Sequence, residues 1–361
     1  MNKNKNAYGL IALLALTAVT AFFLFRKHEL GAVLDALKKA SPAYLAAGLF
    51  LMFLFNASEG LRIWALLRSL GYRPGLMACL KYAFLGFYFS SITPSATGGQ
   101  PAQVFYMSKD GIGFGDASLC ITAITVSYQI GTLLICFFAF VMRRSFVAAN
   151  LGAVKYLVLS GYAGNCMLLF VILESASHIG FLKKLFHGAI RGLAKVKIVK
   201  DAGRAQAGVD AQLEKYADGG NRLFKKPGVL LVILGLTLIQ ILSRLFVTVV
   251  VYRSFHLQGY GFVDILALEA LLALGVGFTP MPGAVGVAEA GFLMVNQAIF
   301  GAEYLAPALL LTRGISFYVW IVVSGVVSLY AHLSLTRKGA MPELSPIGRR
   351  IRGVDAGPKR P

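Results

Sequence analysis

The chain has 361 residues, of which 57% are hydrophobic and 14% are charged, and its mean hydropathy is +0.70. Soluble domains contain about 45–50% apolar and about 25% charged residues, so this composition excludes a soluble globular fold and indicates an all-α integral membrane protein. The formal net charge of +19 must lie in the few segments outside the lipid, where it indicates topology and anionic headgroups rather than nucleic acid.

Six stretches are long and apolar enough to span a bilayer, which takes about 20 residues. They are residues 7–25, 42–67, 117–142, 151–173, 228–252 and 305–333. The first follows Lys3 and Lys5 and is similar to a signal peptide, but its apolar run continues through Phe25. We therefore predict a retained anchor at this position.

Two shorter apolar stretches, residues 76–92 and 262–278, run directly into segments rich in Pro and Gly. We call residues 93–101 the first break and residues 279–286 the second break. An apolar stretch resumes after each of them. Backbone groups freed at membrane depth are tolerated only where protein or a watery cavity satisfies them. Each break therefore predicts a re-entrant or broken helical hairpin.

The two breaks are similar to each other. Each begins with Thr-Pro, at Thr93 and at Thr279, and with these aligned Gln103 falls on Glu289. Interrupted apolar segments at corresponding positions of two halves indicate the binding site of a secondary transporter. The match predicts an internal repeat.

The distribution of basic residues predicts the topology. Basic residues outnumber acidic ones by eleven to five in residues 174–227 and by seven to two after Thr336, so both segments and both termini are predicted to be cytoplasmic. Hairpins that do not cross then enter from opposite faces, which is inverted-repeat geometry. Apolar residues at helical spacing in 181–196 predict a helix lying on an anionic leaflet, with a solvated loop as the alternative. The membrane domain is predicted at 1–335 and a disordered basic tail at 336–361.

Several kinds of chemistry are not indicated. The sequence contains no soluble-enzyme signature, no metal-ligand spacing and no RNA-binding motif, so we predict neither a cofactor, nor a metal, nor a nucleic-acid partner. Four cysteines lie in apolar stretches without paired spacing and are predicted to be buried thiols: Cys79, Cys120, Cys136 and Cys166.

The apolar segments contain a short set of ionisable residues, which are costly in lipid and usually face a protein interior or a cavity. These are Glu59, Arg62, Arg244, Glu269, Glu289 and Arg313. Glu59 and Arg62 stand three residues apart on one helix and are predicted to form a structural ion pair. Glu269, Glu289 and Arg313 are predicted to meet around the second hairpin, either at a substrate site or in a structural network.

The breaks also predict anion binding, because half-helix N-termini present free N–H groups and a positive dipole end. We predict that Arg313, as the only full positive charge close to the second break, holds two phosphate oxygens. Glu289 would neutralise it or meet a cationic headgroup. A kink needed only for close helix packing is the alternative. Besides Glu269, Glu289 and Arg313, the candidate substrate-binding residues are Thr93, Pro94, Gly98, Gly99, Gln100, Pro101, Gln103, Pro280, Pro282, Gly283 and Gly286.

Three segments, residues 89–112, 279–289 and 313–318, resemble the lysylphosphatidylglycerol synthase membrane-region family, the flippase-like domain of the multiple peptide resistance factor. The resemblance covers nearly all of residues 5–335. It implies a plasma-membrane lipid transporter for an anionic-phosphate lipid, such as aminoacylated phosphatidylglycerol or a polyprenyl-linked lipid, and a link to antibiotic resistance.

The resemblance leaves other functions open. Full-length members carry a C-terminal synthase domain, whereas about two dozen residues follow Leu335 here, too few for a domain of that kind. The main alternative is therefore a phosphatidylglycerol lysyltransferase that acts with a separate catalytic subunit. A membrane scaffold for envelope-synthesis proteins is a third hypothesis.

Overall fold

The computed structural model describes residues 40–177 and 202–337, together with isolated positions between 180 and 191. Within these residues every regular element is helical, as predicted. Three predictions lie outside the described residues: the span at 7–25, most of the surface helix at 181–196 and the tail beyond residue 337.

We number the described helices in chain order. They are α1 (Pro42–Ser69), α2 (Leu76–Ile92), α3 (Gly99–Lys109), α4 (Phe114–Met142), α5 (Arg144–Asn150), α6 (Val154–Ser177), α7 (Ala202–Phe224), α8 (Pro227–Ser254), α9 (Phe262–Val276), α10 (Val287–Arg313) and α11 (Val319–Arg337). A single turn of 3-10 helix lies in each break, and a π-helical turn joins α10 to α11. Both 28-residue helices, α1 and α8, begin with a proline, whose fixed φ suits the first turn.

Five described stretches are long and apolar enough to cross a membrane. Four of them match predicted spans, and the fifth, Pro282–Leu335, combines the predicted span at 305–333 with the returning limb of the second hairpin. Gly301 separates these two parts, with φ 65° and ψ 172°. That conformation is open almost only to glycine, so the helix must break there.

Helices α1 and α8 run antiparallel and share the most extensive helix–helix interface of the described chain. At one end of the pair Lys226 Nζ donates to the carbonyl oxygen of Ser69 at 2.6 Å. At the other end the amide of Ser41 donates to the carbonyl oxygen of Ser254 at 3.2 Å. We call the first the α7 end and the second the α5 end, after the shorter helices that lie there.

The first hairpin, made of α2 and α3, begins and ends at the α7 end. Lys81 and Asp110 form an ion pair of 2.5 Å that ties its two limbs together there. Just beyond α3, the amide of Gly115 donates to Gln212 Oε1 of α7 at 2.9 Å. The first hairpin therefore returns to the end from which it came.

The second hairpin, made of α9 and the first part of α10, begins and ends at the α5 end. Asp264, in the first turn of α9, pairs with Arg143 beside α5. The returning limb ends near Phe300, whose ring lies 5.5 Å from that of Tyr252. The two hairpins thus enter the bundle from opposite ends, as predicted. Which end faces the cytoplasm stays a prediction.

Glycines bring α6 and α9 close together beside the second hairpin. A Cβ at Gly161 would lie 2.3 Å from the carbonyl oxygen of Leu274, and a Cβ at Gly275 would lie 3.0 Å from the backbone of Leu157. Each helix therefore has a glycine at the point where it contacts the backbone of the other helix. Any larger residue at either position would push the two helices apart.

Gly161→Ala should lower the free energy of unfolding by about 1–3 kcal/mol, because its methyl group would overpack the α6–α9 crossing. Gly235→Ala is the matched control, since nothing lies within 4 Å of the Cβ position at Gly235 and alanine favours helix. Thermal unfolding in detergent, followed by tryptophan fluorescence, measures both. Equal stability of the two variants would contradict the crossing.

Cysteine labelling tests the two entry points. In a background without the native cysteines, Arg73→Cys and Lys109→Cys should react from the same side of the membrane, because both flank the first hairpin. Gln258→Cys, before α9, should react from the other side. Labelling of Arg73→Cys and Lys109→Cys from opposite sides would make the first hairpin a full span.

Candidate functional site

The two breaks have the same backbone conformation. The 3-10 turns are Pro94–Ala96 in the first and Pro282–Ala284 in the second. Their middle residues have positive φ, 50° at Ser95 and 58° at Gly283. The last residue of each turn is also left-handed, with φ of 54° and 53°. Left-handed non-glycine residues cost energy and often cluster at functional sites, so their presence in both breaks draws attention to this region.

Backbone hydrogen bonds fix the register of the repeat. Three bonds of the first break recur in the second: Ala96 N to Thr93 O and Ala284 N to Met281 O, Thr97 N to Pro94 O and Val285 N to Pro282 O, and Ala102 N to Gly98 O and Ala290 N to Gly286 O. Pro94 therefore corresponds to Pro282, and the predicted alignment with Pro280 is wrong by two residues. The two breaks share the pattern Pro-x-Ala-x-Gly. In each, the proline is the first residue of the 3-10 turn, and the two residues after it have left-handed backbone conformations.

The breaks meet inside the bundle. Their 3-10 turns are in contact, and Ser95 Oγ donates to the carbonyl oxygen of Thr279 at 3.4 Å. The two hairpins therefore meet at their breaks.

The helix that follows the first break begins at a crowded glycine. A Cβ at Gly99 would lie 2.1 Å from Ser90 Oγ and 2.7 Å from the carbonyl oxygen of Gly86. The amide of Gly98 donates to Thr93 Oγ1 at 2.9 Å. Pro101 lies in the first turn of α3, where its fixed φ suits the helix.

The helix that follows the second break is already capped by the chain's own carboxylate. The amide of Gly286, which has φ 90°, donates to Glu289 Oε2 at 2.5 Å. The prediction of a free N-terminus at this position is therefore wrong, because Glu289 sits where a phosphate would have to bind.

Arg313 forms hydrogen bonds with the second break and with the helix that follows it. Its Nε donates to Glu289 Oε1 at 2.9 Å, and its Nη2 donates to the carbonyl oxygen of Gly283 at 3.1 Å. The ring of Phe317 lies 4.5 Å from the guanidinium carbon. Of the two roles predicted for Glu289, the structure shows the pairing with Arg313. The guanidinium is thus engaged on two sides by the chain itself.

The predicted ion pair of Glu59 and Arg62 is bridged rather than direct. Arg62 is fully buried and donates to Thr237 Oγ1 at 2.9 Å and to the side-chain oxygen of Gln240. Gln240 Nε2 donates to Glu59 Oε2 at 3.0 Å, and Gln103 Nε2 donates to Glu59 Oε1 at 2.6 Å. No direct ion pair joins Glu59 and Arg62 within the described residues, because α8 inserts Gln240 between them. The network joins α3 of the first hairpin to both long helices.

Glu269 does not join the Arg313 group. Its Oε1 accepts from Asn296 Nδ2 at 2.8 Å, and the Thr248 side chain also bonds to it. Arg244 is a nearby positive charge. The prediction that Glu269, Glu289 and Arg313 meet is therefore correct only for the last two residues.

Two adjoining cavities lie where the hairpins meet. A smaller one of about 200 Å³, the tip cavity, lies between the breaks and is lined by Ser95, Thr279, Gly283 and Arg313. A larger one of about 710 Å³, the central cavity, extends between α1, α3, α4, α6 and α8. They share the side chains of Phe55, Phe87, Ser90, Ser95 and Arg244.

Arg244 is the cation available to a ligand in these cavities. Its side chain is exposed and lines both of them. Among the described residues, none forms a hydrogen bond or an ion pair with its guanidinium. The prediction that Arg313 is the only full charge near the second break is therefore wrong, because Arg244 lines the same tip cavity.

The sequence-predicted residues divide into two groups. Those that line a cavity are Gln100, Pro101, Gln103, Gly283 and Arg313, and the structural pair Glu59 and Arg62 joins them. Those that line neither cavity are Thr93, Pro94, Gly98, Gly99, Glu269, Pro280, Pro282, Gly286 and Glu289. Apart from Glu269, the residues of the second group lie in the breaks or in the first turn of the helices that follow them, and their role in substrate binding stays a prediction.

The sequence contained a signal for the residues that were missed. Helix α8 has a mean hydropathy of 2.3, the highest among the described candidate spans, yet it carries polar residues at intervals of three or four: Thr237, Gln240, Arg244 and Thr248. That spacing places them on one face of a helix. Arg244 was already among the ionisable residues expected to face a protein interior or a cavity, and this polar stripe could have assigned it a binding role.

Removing one partner of the Arg313–Glu289 pair should destabilise the protein more than removing both. Their side chains are only 12% and 11% exposed, and an unpaired charge left in such a site costs about 3–5 kcal/mol. We expect Arg313→Gln or Glu289→Gln to lower the unfolding temperature in detergent, and the double variant to recover part of the loss.

The exposed pair of Lys183 and Glu214 is the control. Their side chains are 33% and 68% exposed, and such surface pairs contribute about 0–1 kcal/mol. Lys183→Gln should therefore leave the unfolding temperature nearly unchanged. Equal effects at both pairs would show that Arg313 and Glu289 do not support the break.

Comparison with known proteins agrees with this architecture. A family model, lysylphosphatidylglycerol synthase TM region, matches residues 10–324, which include both breaks and Arg313. A curated relative, a UPF0104 membrane protein of Archaeoglobus fulgidus, is 22% identical over 325 residues, and the match covers 88% of this chain and 95% of the relative. The chain is a multi-pass membrane protein and belongs to the lysylphosphatidylglycerol synthase TM region family.

Proposed function

We propose that the protein moves a lipid with an anionic phosphate headgroup from one membrane leaflet to the other. The observation that carries the proposal is the position of Arg244, whose exposed guanidinium lines two adjoining cavities between broken helices. An ionisable side chain inside an apolar span is costly and usually marks a substrate path. Family membership supports a role in lipid handling.

The lining of the cavities suits an amphiphilic ligand. The wall shared by both cavities combines Arg244 and the hydroxyl of Ser90 with the rings of Phe55 and Phe87. Mostly apolar walls with a few placed polar groups are typical of small-molecule sites. The polar groups would take the headgroup while the rings contact the start of the acyl chains.

Arg244 is the residue that would hold the phosphate. A guanidinium stays charged when partly desolvated and can donate to two phosphate oxygens at once. The start of α3, where Gln100 lines the central cavity, would add the positive end of a helix dipole. Arg313 and Glu289 would keep the second break in shape while the headgroup passes.

We place the α7 end in the cytoplasm and the protein in the plasma membrane. The loops and helix ends of that side carry Arg68, Arg73, Lys109, Lys225 and Lys226, and basic residues near span ends favour the cytoplasmic face. The basic loop at 174–227 would then rest on anionic headgroups.

Arg244→Gln should reduce lipid translocation by about tenfold or more, because a hydrogen bond to a charged group contributes about 1.5–3 kcal/mol. Phosphatidylglycerol labelled on an acyl chain reports translocation in proteoliposomes through chemical quenching of the outer leaflet. Arg253→Gln is the matched control, since Arg253 donates to the carbonyl oxygen of Leu257 at the α5 end, at 3.1 Å. Arg244→Lys should retain part of the activity.

The same preparation separates transport from synthesis. We expect no lysyl-lipid when the purified protein is incubated with lysyl-tRNA and phosphatidylglycerol, and lysyl-lipid formation would favour a lysyltransferase. Wild-type translocation by folded Arg244→Gln would remove Arg244 from the proposed mechanism.

A further inference from the structure

Two hydrogen-bond acceptors in the central cavity have no partner. Asn165 of α6 is 4% exposed, and its Nδ2 donates to the carbonyl oxygen of Gly161 at 3.3 Å. Its Oδ1 and the hydroxyl oxygen of Thr132 on α4 are buried without a hydrogen bond from any described residue. Both residues line the central cavity.

Such a pair of oxygens requires an explanation. A buried polar atom left without a partner costs about 1–3 kcal/mol, and native proteins contain few of them. The donation from Nδ2 to Gly161 fixes which way the amide of Asn165 is turned, so its oxygen is the atom left over. The missing partner of Asn165 Oδ1 is therefore a donor that none of the described residues provides, and the Thr132 hydroxyl lacks a partner that either donates to it or accepts from it.

The charge of the surroundings decides which donor fits. Asn165 and Thr132 are neutral. Glu59, the carboxylate that lines the same cavity, already accepts bonds on both oxygens, from Gln103 and Gln240. An ammonium group held by neutral acceptors would be a buried charge without a counter-ion, which is costly. An uncharged hydroxyl group carries no such cost and donates one hydrogen bond.

Arg244 lines the same cavity and offers a cation for a phosphate. We propose that Asn165 and Thr132 form a subsite for a headgroup hydroxyl, so that the protein prefers phosphodiester lipids whose headgroup carries hydroxyl groups and no amine. This inference rests on the proposed function and assigns the headgroup chemistry of that site. A glycerol headgroup and a sugar headgroup share this chemistry.

Competition between matched lipids tests the subsite. The purified protein is offered equal amounts of phosphatidylglycerol and phosphatidylpropanol, which has the same phosphate and three-carbon headgroup without hydroxyls, and bound lipid is counted by native mass spectrometry. We expect about a tenfold preference for phosphatidylglycerol, the ratio expected for one hydrogen bond to an otherwise unpaired acceptor. Separate arms with phosphatidylinositol and phosphatidylethanolamine distinguish a sugar-like ring from glycerol and a hydroxyl from an amine.

Variants assign the preference to its residues. Asn165→Leu and Thr132→Val should remove it by weakening phosphatidylglycerol alone. Asn165→Asp keeps the size of the side chain and adds a carboxylate, so it should shift the preference towards phosphatidylethanolamine. Asn150→Leu is the control, because Asn150 makes the same donation to the carbonyl oxygen four residues before it, at 2.8 Å, and lines neither cavity.

Equal binding of phosphatidylglycerol and phosphatidylpropanol by the wild-type protein would overturn the inference, as would an unchanged preference in both Asn165→Asp and Thr132→Val. A wild-type preference for phosphatidylethanolamine would also overturn it. These outcomes concern binding ratios and leave the translocation assay on Arg244→Gln unaffected. Loss of headgroup preference with intact translocation therefore rejects the subsite alone.

Discussion

A helix that stops inside a membrane exposes backbone donors and acceptors that lipid cannot satisfy. This protein contains two such stops, and its architecture follows from how they are satisfied. The two 3-10 turns are in contact. The hydroxyl of Ser95 donates a hydrogen bond to the carbonyl oxygen of Thr279, and the guanidinium of Arg313 donates one to the carbonyl oxygen of Gly283. Each hairpin therefore depends on the other to complete its interior, and neither is a self-sufficient unit.

Polar side chains extend this arrangement along α8. Gln240 joins Glu59 to Arg62, Arg244 faces both cavities, and Thr248 bonds to Glu269 one turn further on. A buried Arg62 held by neutral acceptors is costly unless the geometry is well satisfied. Burying the polar residues of α8 costs free energy, and one of them, Arg244, is the cation on which the proposed function depends.

The two breaks are alike in backbone and different in chemistry. The first is followed by a glycine that must approach Ser90 and Gly86 closely, and its helix leaves a start that faces the central cavity through Gln100. The second is followed by a helix whose start is filled by Glu289. The first repeat thus caps the amide before its second helix with the neutral hydroxyl of Thr93, and the second repeat caps it with the carboxylate of Glu289.

The sequence predicted the features that depend on local chemistry. Pro and Gly runs located both breaks, and charge counting predicted that the hairpins enter from opposite ends. The pairing of Glu289 with Arg313 also followed, since ionisable residues in apolar segments are expected to face the protein interior and to pair. The alignment of the two breaks was wrong by two residues because it paired Thr93 with Thr279, which have different roles. Thr93 accepts a hydrogen bond from the amide of Gly98, and the residue of the second break that corresponds to Thr93 is Met281. The Gln240 bridge depends on how α1 and α8 pack, which local patterns do not contain, whereas Arg244 belongs to a polar stripe of α8 that the sequence does contain.

The number of helices that cross the bundle between the two hairpins decides how the hairpins are oriented relative to each other. The helices α4, α6 and α8 carry the chain from the α7 end to the α5 end, an odd number of crossings. Because the number of crossings is odd, the second hairpin is inverted relative to the first, and this inversion requires nothing of the hairpin's own sequence. Adding or deleting a single crossing would bring both hairpins in from the same end, with their left-handed turns no longer facing each other. The connecting helices are thus part of the site although few of their residues touch the breaks.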